Sequence, residues 1–216
     1  MVYHVLNRGV GRRDLFDKAG DFEAFERVLR ETLRLRPMRV CGYCWMSNHW
    51  HFVLWPENDG DLPAFMQRLT NTHVKRWKEH RHETGYGPLY QGRYKSFPVE
   101  TESYFYQVVR YVERNALRAN LVERAAQWRW SSLCPTRQES NGEILAAWPL
   151  PRPANWIELV NQPQTESELT ALRNCVNRGT PLGQQGLSRW PVDLVSSQPS
   201  ADAVAPRRQK TWNKAT

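Results

Sequence analysis

Residues 38–55 have the sequence MRVCGYCWMSNHWHFVLW, and this stretch decides the fold. It is rich in aromatic and β-branched residues and has the turn residues Ser47-Asn48 in its middle, a pattern that predicts two strands joined as a hairpin. Successive strand side chains point to opposite faces, so His49 and His51 share one face while Trp50 points to the other. Two imidazoles side by side on a rigid strand supply half of a metal site. An isolated H-x-H pattern is more often a pair of half-exposed histidines, so the rest of the chain has to decide between the two interpretations.

The segments around this hairpin follow a regular order. Apolar residues at helical spacing predict a helix that begins at Asp21 and is stopped by Pro37. The full set of predicted elements is a strand at 3–8, a helix at 21–36, strands at 38–46 and 49–55, a helix at 62–81, a strand at 94–99, and a helix at 103–119 with Thr101 or Ser103 as its N-cap. This order predicts an α+β fold of the ferredoxin-like (RRM-like) split βαβ type. We expect an antiparallel sheet with its helices on one face and the other face free to meet a ligand.

The composition of the chain changes beyond Leu133. Prolines punctuate a polar region, in which short helices are predicted near 156–161 and 166–175. We therefore expect a folded domain at 1–134, an irregular, partly helical extension at 135–195, and a disordered tail at 196–216.

The charge of the chain favours a polyanionic partner. Lys and Arg number 30 against 22 Asp and Glu, which gives a formal net charge of +8, and the chain also has ten tryptophans and eight tyrosines. Aromatic rings among basic side chains suit unpaired bases along a phosphate backbone, although an excess of charge can also serve solubility alone. Four cysteines in 216 residues do not suggest a disulfide scaffold. No apolar run approaches a membrane-spanning length and no signal peptide is visible, so we expect a cytoplasmic protein.

The last predicted helix brings a possible nucleophile towards the histidines. Tyr111 and Asn115 are four residues apart and therefore share a helix face. In a split βαβ sheet that face can look at His49 and His51. Two imidazoles and an amide oxygen would make three ligands for a divalent ion, which would polarise a phosphate. A tyrosine hydroxyl beside such an ion is a candidate nucleophile.

Four stretches of the chain together resemble one family. They are 3–9 (YHVLNRG), 45–51 (WMSNHWH), 90–95 (YQGRYK) and 111–119 (YVERNALRA), and residues 128–132 and 181–183 also match elements of it. The chain resembles the single-tyrosine HUH transposases, and among them most closely the REP-associated tyrosine transposases of bacteria. The resemblance covers residues 1–134 well and the later segment only in patches.

The resemblance implies a site and a reaction. His49, His51 and Asn115 would bind Mg²⁺ or Mn²⁺, and Tyr111 would attack a scissile phosphate of single-stranded or hairpin, REP-like DNA. The implied activity is DNA strand cleavage and joining through a 5′-phosphotyrosine intermediate, for transposition, without ATP. Related groups have Gln as the third ligand and Asn-Pro after the tyrosine, whereas this chain has Asn115-Ala116 and keeps the amide.

Other residues in these segments have competing interpretations. Tyr104 is the main rival nucleophile, but packing is its expected role because it has no amide partner four residues on. The pair Cys41-x-x-Cys44 could suggest zinc, yet strand residues three apart face opposite sides unless a bulge intervenes, so we expect buried structural cysteines. His73 is expected to pack in the core. His4, on the first strand, could approach the metal site.

The DNA-contacting residues are predicted less sharply, since each could be an ordinary surface charge. The candidates are Arg8, Arg12, Arg13, Arg93, Tyr94, Lys95, Arg110, Arg114 and Arg118. Two other functions fit the same elements: a non-catalytic binder of single-stranded DNA or RNA, and a conjugative relaxase or replication nickase. The short chain with one candidate tyrosine disfavours the second of these. Either a monomer or a homodimer is compatible with the sequence.

Overall fold

The predicted hairpin supplies two of the four strands of the sheet in the computed structural model, which describes residues 1–137, 143–166 and 168–170. The elements are β1 (Val2–Arg8), α1 (Ala19–Leu35), β2 (Arg39–Met46), β3 (His49–Trp55), α2 (Asp61–His80), β4 (Lys95–Val99), α3 (Glu102–Glu113), α4 (Asn115–Arg118) and α5 (Trp156–Asn161). The four strands have the order β2-β3-β1-β4 and every neighbouring pair is antiparallel. The α+β, ferredoxin-like fold class is confirmed, and most element boundaries lie within two residues of the predicted ones.

The last predicted helix is two helices. It begins with Thr101 as N-cap, whose side chain accepts a hydrogen bond from the Tyr104 backbone N–H, as expected. The regular helix ends at Glu113, and α4 begins at Asn115 after the single residue Arg114. Asn115 therefore lies at the start of a new turn rather than in the middle of one continuous helix.

The prediction that all helices lie on one face of the sheet is wrong. The face with Trp50 and Phe52 packs against α1 and α2, whereas the face with Val53 packs against α3. The reason is that β2 is buried along nearly its whole length, on both of its faces. A strand that is apolar on both sides needs cover on both sides, and alternation of polar and apolar residues, which would indicate a free face, is missing here.

A β-bulge corrects the argument about the two cysteines of β2. The pairing of β2 with β3 shifts between Val40 and Gly42, which brings Cys41 and Cys44 into the same apolar cluster under α3. Burial raises the pKa of each thiol to about 12. The expected role as buried structural cysteines agrees with this environment, and the bulge is the exception to strand alternation that the sequence analysis named.

The C-terminal extension packs on α3. Trp156, Leu159 and Val160 of α5 belong to the same apolar cluster as the inner residues of α3. The short helix predicted near 156–161 is confirmed. Residues 171–175 of the second predicted helix, the 181–183 motif and the predicted disordered tail at 196–216 lie outside the described residues. In the part of the chain that is described, no helix has the length and apolar character needed to cross a membrane.

His73 of α2 is a packed core histidine, as predicted. Its ring lies 4.7 Å from that of Phe25 and 5.6 Å from that of Phe16. The Tyr90 hydroxyl accepts a hydrogen bond from Trp50 Nε1 at 3.0 Å and shares a second hydrogen bond of 2.6 Å with His73 Nδ1. Burial lowers the pKa of His73 to about 3, so the imidazole is neutral at pH 7.

This burial predicts loss of stability in mild acid. In the unfolded chain the pKa of histidine is about 6.5, so His73 binds a proton below that pH, whereas in the folded protein it stays neutral. The free energy of unfolding therefore falls as pH is lowered from about 6.5 towards 3. The cost is about 1.4 kcal/mol per pH unit from this group. Urea titrations at several pH values measure it. His73→Asn, which keeps an acceptor for Tyr90, should flatten the pH slope by about one proton, whereas exposed His80→Asn on the same helix should not. Equal slopes for the two variants would contradict the assignment.

Candidate active site on the histidine face of the sheet

His49 and His51 project from the same face of β3, as the alternation predicts. Their ring centroids are 5.1 Å apart, with His49 half-buried and His51 buried. The neighbouring strand β1 places Leu6 opposite His51 and Arg8 opposite His49. The two imidazoles thus lie at the end of the sheet where the β2–β3 turn and the end of β1 meet.

His4 is a third histidine of this site. It stands opposite Val53 in the β1–β3 ladder, and its Nε2 lies 2.9 Å from His51 Nδ1 with the two rings stacked. Burial, with a smaller contribution from Arg118, lowers the pKa of His4 to about 3. The sequence alone did not decide whether His4 approaches the site. The register of β1 on β3 places it there.

Both histidines of the H-x-H pair present a free ring nitrogen. His49 Nδ1 lies 2.6 Å from Asn48 Oδ1, which can only accept, so Nδ1 carries the proton and Nε2 keeps its lone pair. His51 uses Nδ1 towards His4 and leaves Nε2. Burial and then Arg8 lower the pKa of His49 to about 4, and burial and then His49 lower that of His51 well below its usual value. Both rings are neutral at pH 7, the state that binds a metal.

Helix α3 places Tyr111 against these rings. The Tyr111 ring centroid lies 5.9 Å from that of His4 and 6.0 Å from that of His51, edge-on in both cases. Only 6% of Tyr111 is exposed. The phenol and the imidazoles therefore belong to one site within a single chain, as the shared-face argument predicted.

Asn115 and Arg118 complete the site from α4. Asn115 is buried, its Oδ1 accepts a hydrogen bond of 2.7 Å from Arg118 Nη2, and its Nδ2 has no partner. The Arg118 guanidinium carbon lies 4.1 Å from the centre of the Tyr111 ring, and Nη1 is buried without a partner. One cation thus touches both the candidate nucleophile and the candidate third ligand. Sequence analysis named Arg118 only as a DNA contact.

The residues present fit a divalent metal. Among the described residues no three side chains of His, Cys, Asp or Glu are grouped to hold an ion, so a metal here must take a ligand of another type. His49 Nε2 and His51 Nε2 are available, and their Nδ1 atoms make the outer hydrogen bonds typical of ligating histidines. The Asn115 amide oxygen is the third candidate, and its hard character suits Mg²⁺ or Mn²⁺.

Several predicted DNA contacts surround the site. Arg8 is beside His49, and Lys95 is exposed on the histidine face because it pairs with Leu6, which itself stands opposite His51. Arg93 is exposed just before β4, while Tyr94 is half-buried. Arg12 and Arg13, in the segment after β1, are exposed. Arg13 forms an ion pair with Glu83 at a distance of 3.0 Å.

Arg110 and Arg114 lie elsewhere. Arg110 Nη2 donates to the carbonyls of Gln162 and Pro163, at 2.8 and 3.1 Å. Arg114 Nη1 donates to the carbonyls of Val160 and Asn161 at the end of α5, at 2.8 and 2.5 Å. The structure thus turns both guanidinium groups towards the C-terminal extension. Nothing in the sequence connects them with a segment some fifty residues away.

The rival residues have packing roles. Tyr104 belongs to the apolar cluster under α3, and the Tyr106 hydroxyl donates to the Pro151 carbonyl. Trp130 stacks on Phe22 with ring centroids 4.6 Å apart. The tyrosine of α3 with described ring contacts to the histidines of this face is Tyr111.

Comparison with known proteins identifies the family. The family model for IS200-like transposases matches residues 1–115, which span the sheet, the histidine pair, Tyr111 and Asn115. The chain belongs to the IS200-like transposases. The expected family is thereby confirmed, and with it DNA transposition as the class of function.

Two solved structures are similar to this transposase. A REP-associated tyrosine transposase bound to a REP hairpin is 17% identical, with a TM-score of 0.51 over 71% of this chain and 88% of that one. A transposase described as putative from Deinococcus radiodurans R1 is 18% identical, with a TM-score of 0.39 over 52% of this chain and 88% of that one. No curated protein matches the transposase chain. At these identities the first comparison supports the fold.

Proposed function

We propose that this transposase cleaves and rejoins single-stranded DNA through a covalent link to Tyr111. The observation that carries the proposal is the position of Tyr111, whose ring contacts His4 and His51 and lies under the Arg118 guanidinium. Packing alone would not require a buried phenol to stand among neutral imidazoles and beside a cation whose hydrogen bonds are incomplete. It is an arrangement suited to nucleophilic attack on a phosphate.

The proposed reaction exchanges one phosphodiester bond for another. Tyr111 Oη bonds to the scissile phosphorus, and the bond from phosphorus to the 3′ oxygen breaks. The phenolic proton leaves Oη and a proton is taken up by the departing oxygen, which gives a free 3′-OH and a 5′-phosphotyrosine. Attack by another 3′-OH reverses these changes, so no ATP is needed. When bound, Mg²⁺ or Mn²⁺ on His49, His51 and Asn115 would polarise the phosphate and offset its developing charge.

Arg118 has a defined part in this proposal. Its Nη1 is buried and unpartnered, so it can donate to a non-bridging phosphate oxygen with little desolvation cost at the moment of binding. Its guanidinium carbon also lies 4.1 Å from the Tyr111 ring centre, beside the proposed nucleophile. We expect Arg118 to hold the phosphate next to Tyr111.

The proposed substrate is hairpin or single-stranded DNA of the REP type. The net charge of +8 and two basic side chains of the histidine face, half-buried Arg8 and exposed Lys95, support a polyanion at this surface. The similar structure with a bound REP hairpin supports the hairpin form. Such a substrate would place the reaction at the bacterial nucleoid, in the cytoplasm. All proposed groups belong to one chain, which suits a monomer; a homodimer that keeps them together fits as well.

A trapping assay tests the proposal. A hairpin oligonucleotide with a randomised single-stranded flank and a 3′ fluorescent label should give a labelled protein band on denaturing gels with Mn²⁺ or Mg²⁺, and none with excess EDTA. His49→Gln should lower adduct formation at least about 100-fold, because it removes one proposed ligand. The matched control is exposed His80→Gln, which should behave as wild type. DNA binding without any metal-dependent adduct would instead support the non-catalytic binder.

A further inference from the structure

A large cavity lies on the opposite face of the sheet from the histidines. Its volume is about 980 Å³, at the upper end of the range usual for small-molecule sites. One wall is the side of α2 that carries Gln67 and Asn71, and the other is formed by the loop before β4 and its first residues. Among the described residues that line it, none has a carboxylate and the one charged group is that of Arg93. The electrostatics therefore suit a ligand attached to phosphates.

Two carboxamides of α2 face this cavity. Gln67 and Asn71 are four residues apart on α2, so they form one polar edge. Neither side chain makes a hydrogen bond within the described residues, and both are exposed to the cavity. The rest of the lining combines apolar residues, among them Leu89 and Val74, with the polar residues Asn7, Thr70 and Ser96. An apolar floor with a row of amide donors and acceptors is complementary to the face and the edge of a nucleobase.

The path from the active site to the cavity is short in the fold. Side chains alternate along the strand that begins at Lys95, so Lys95 faces the histidine side while Ser96 faces the cavity side. Tyr94 and Arg93 line the cavity as well. Asn7 lines it from β1, directly before Arg8, which is beside His49. A strand held at the histidines can therefore pass around the edge formed by residues 93–96.

We propose that this cavity binds an unpaired base of the same DNA strand whose phosphate is held at Tyr111. Gln67 and Asn71 read the edge of the base, Tyr94 packs on its face, and Arg93 holds a flanking phosphate. Carboxamides pair in a bidentate manner with the N6 and N7 atoms of adenine, so adenine is the preferred base. The inference rests on the proposed function for its substrate class, and it adds a site at which one base of the DNA strand is recognised.

Binding measurements with matched oligomers test this subsite. The probes are fluorescent single-stranded oligomers of equal length made of dA, of dC, or of abasic units, in EDTA so that no cleavage occurs. The variant Gln67→Ala/Asn71→Ala changes no charge and places good helix formers at exposed helix positions. It should weaken binding of the dA oligomer about tenfold and change binding of the dC and abasic oligomers by less than about twofold. Thr72→Ala, on the same helix outside the cavity, is the matched control.

The outcomes separate the subsite from the catalytic proposal. An equal loss of affinity for dA and abasic oligomers would overturn base reading, and so would unchanged binding of dA by the double variant. A larger loss for dC than for dA would overturn the adenine assignment. Adduct formation in the trapping assay depends on Tyr111 and the metal, so it can succeed while the subsite fails. If no oligomer binds wild-type protein, the subsite proposal fails, and the trapping assay with the hairpin decides the catalytic proposal on its own.

Discussion

Replacement of Tyr111 by Phe should abolish the covalent protein–DNA adduct while DNA binding is retained. The substitution removes only the hydroxyl oxygen, and the ring keeps its edge contacts with His4 and His51 and its place under Arg118. Since no other atom at that position can attack phosphorus, we expect a loss of at least about 1,000-fold in adduct formation. The trapping assay measures the rate, and fluorescence anisotropy with the same hairpin measures affinity.

Tyr104→Phe is the matched control for this experiment. Tyr104 lies two turns earlier on the same helix and is also buried, so both variants remove one hydroxyl from α3. We expect Tyr104→Phe to form adduct at nearly the wild-type rate. A normal adduct in Tyr111→Phe, or its loss in Tyr104→Phe alone, would transfer the role of nucleophile away from Tyr111. Mass spectrometry of the linked peptide distinguishes the two tyrosines directly.

The β2–β3 hairpin could be predicted because its signals are local. Alternation along 49–55 places both histidines on one face, and helical spacing places Tyr111 and Asn115 together, so the main partners of the site follow from short-range periodicity. The break of the helix at Arg114 was not predictable in the same way. Arg114 is a good helix former, and its contacts with the end of α5 come from a distant segment.

The features that sequence reasoning missed depend on contacts distant in the chain. His4 is forty-seven residues from His51, and only the register of β1 on β3 brings their ring nitrogens within 2.9 Å. The cover of both sheet faces depends on where α3 packs, and the bulge at Cys41 changes the side on which that residue points. A buried β2 without polar alternation was the available signal for two-sided packing.

Glu113 connects the helix of the nucleophile to the C-terminal extension. It is 1% exposed, accepts a 2.7 Å hydrogen bond from Ser132 Oγ through Oε1, and accepts one of 2.6 Å from Trp156 Nε1 through Oε2. Burial raises the pKa of Glu113, while the positive charge of Arg152 opposes that shift. The carboxylate is therefore costly to bury, and its two donors are what keep it in place.

Replacement of Glu113 by Ala should destabilise the protein by about 1 to 3 kcal/mol. The variant leaves the Trp156 donor without an acceptor, whereas the Ser132 hydroxyl still has the Tyr43 carbonyl at 3.2 Å as an acceptor. Glu113→Gln keeps the shape and one acceptor, so its cost should be clearly smaller. Urea unfolding followed by tryptophan fluorescence measures both free energies.

A double-mutant cycle isolates the contact itself. Trp156→Phe removes the indole N–H and keeps most of the ring, so Glu113→Ala should cost less in that background than in the wild type, by about 1 to 3 kcal/mol. Full additivity of the two substitutions would show that the hydrogen bond contributes nothing.

Because Tyr111 is two residues before Glu113, a loosened α3 should also lower adduct formation in proportion to the fraction of protein in which the extension has detached. Normal adduct formation by a strongly destabilised Glu113→Ala, measured where it is still folded, would separate the position of the nucleophile from this contact.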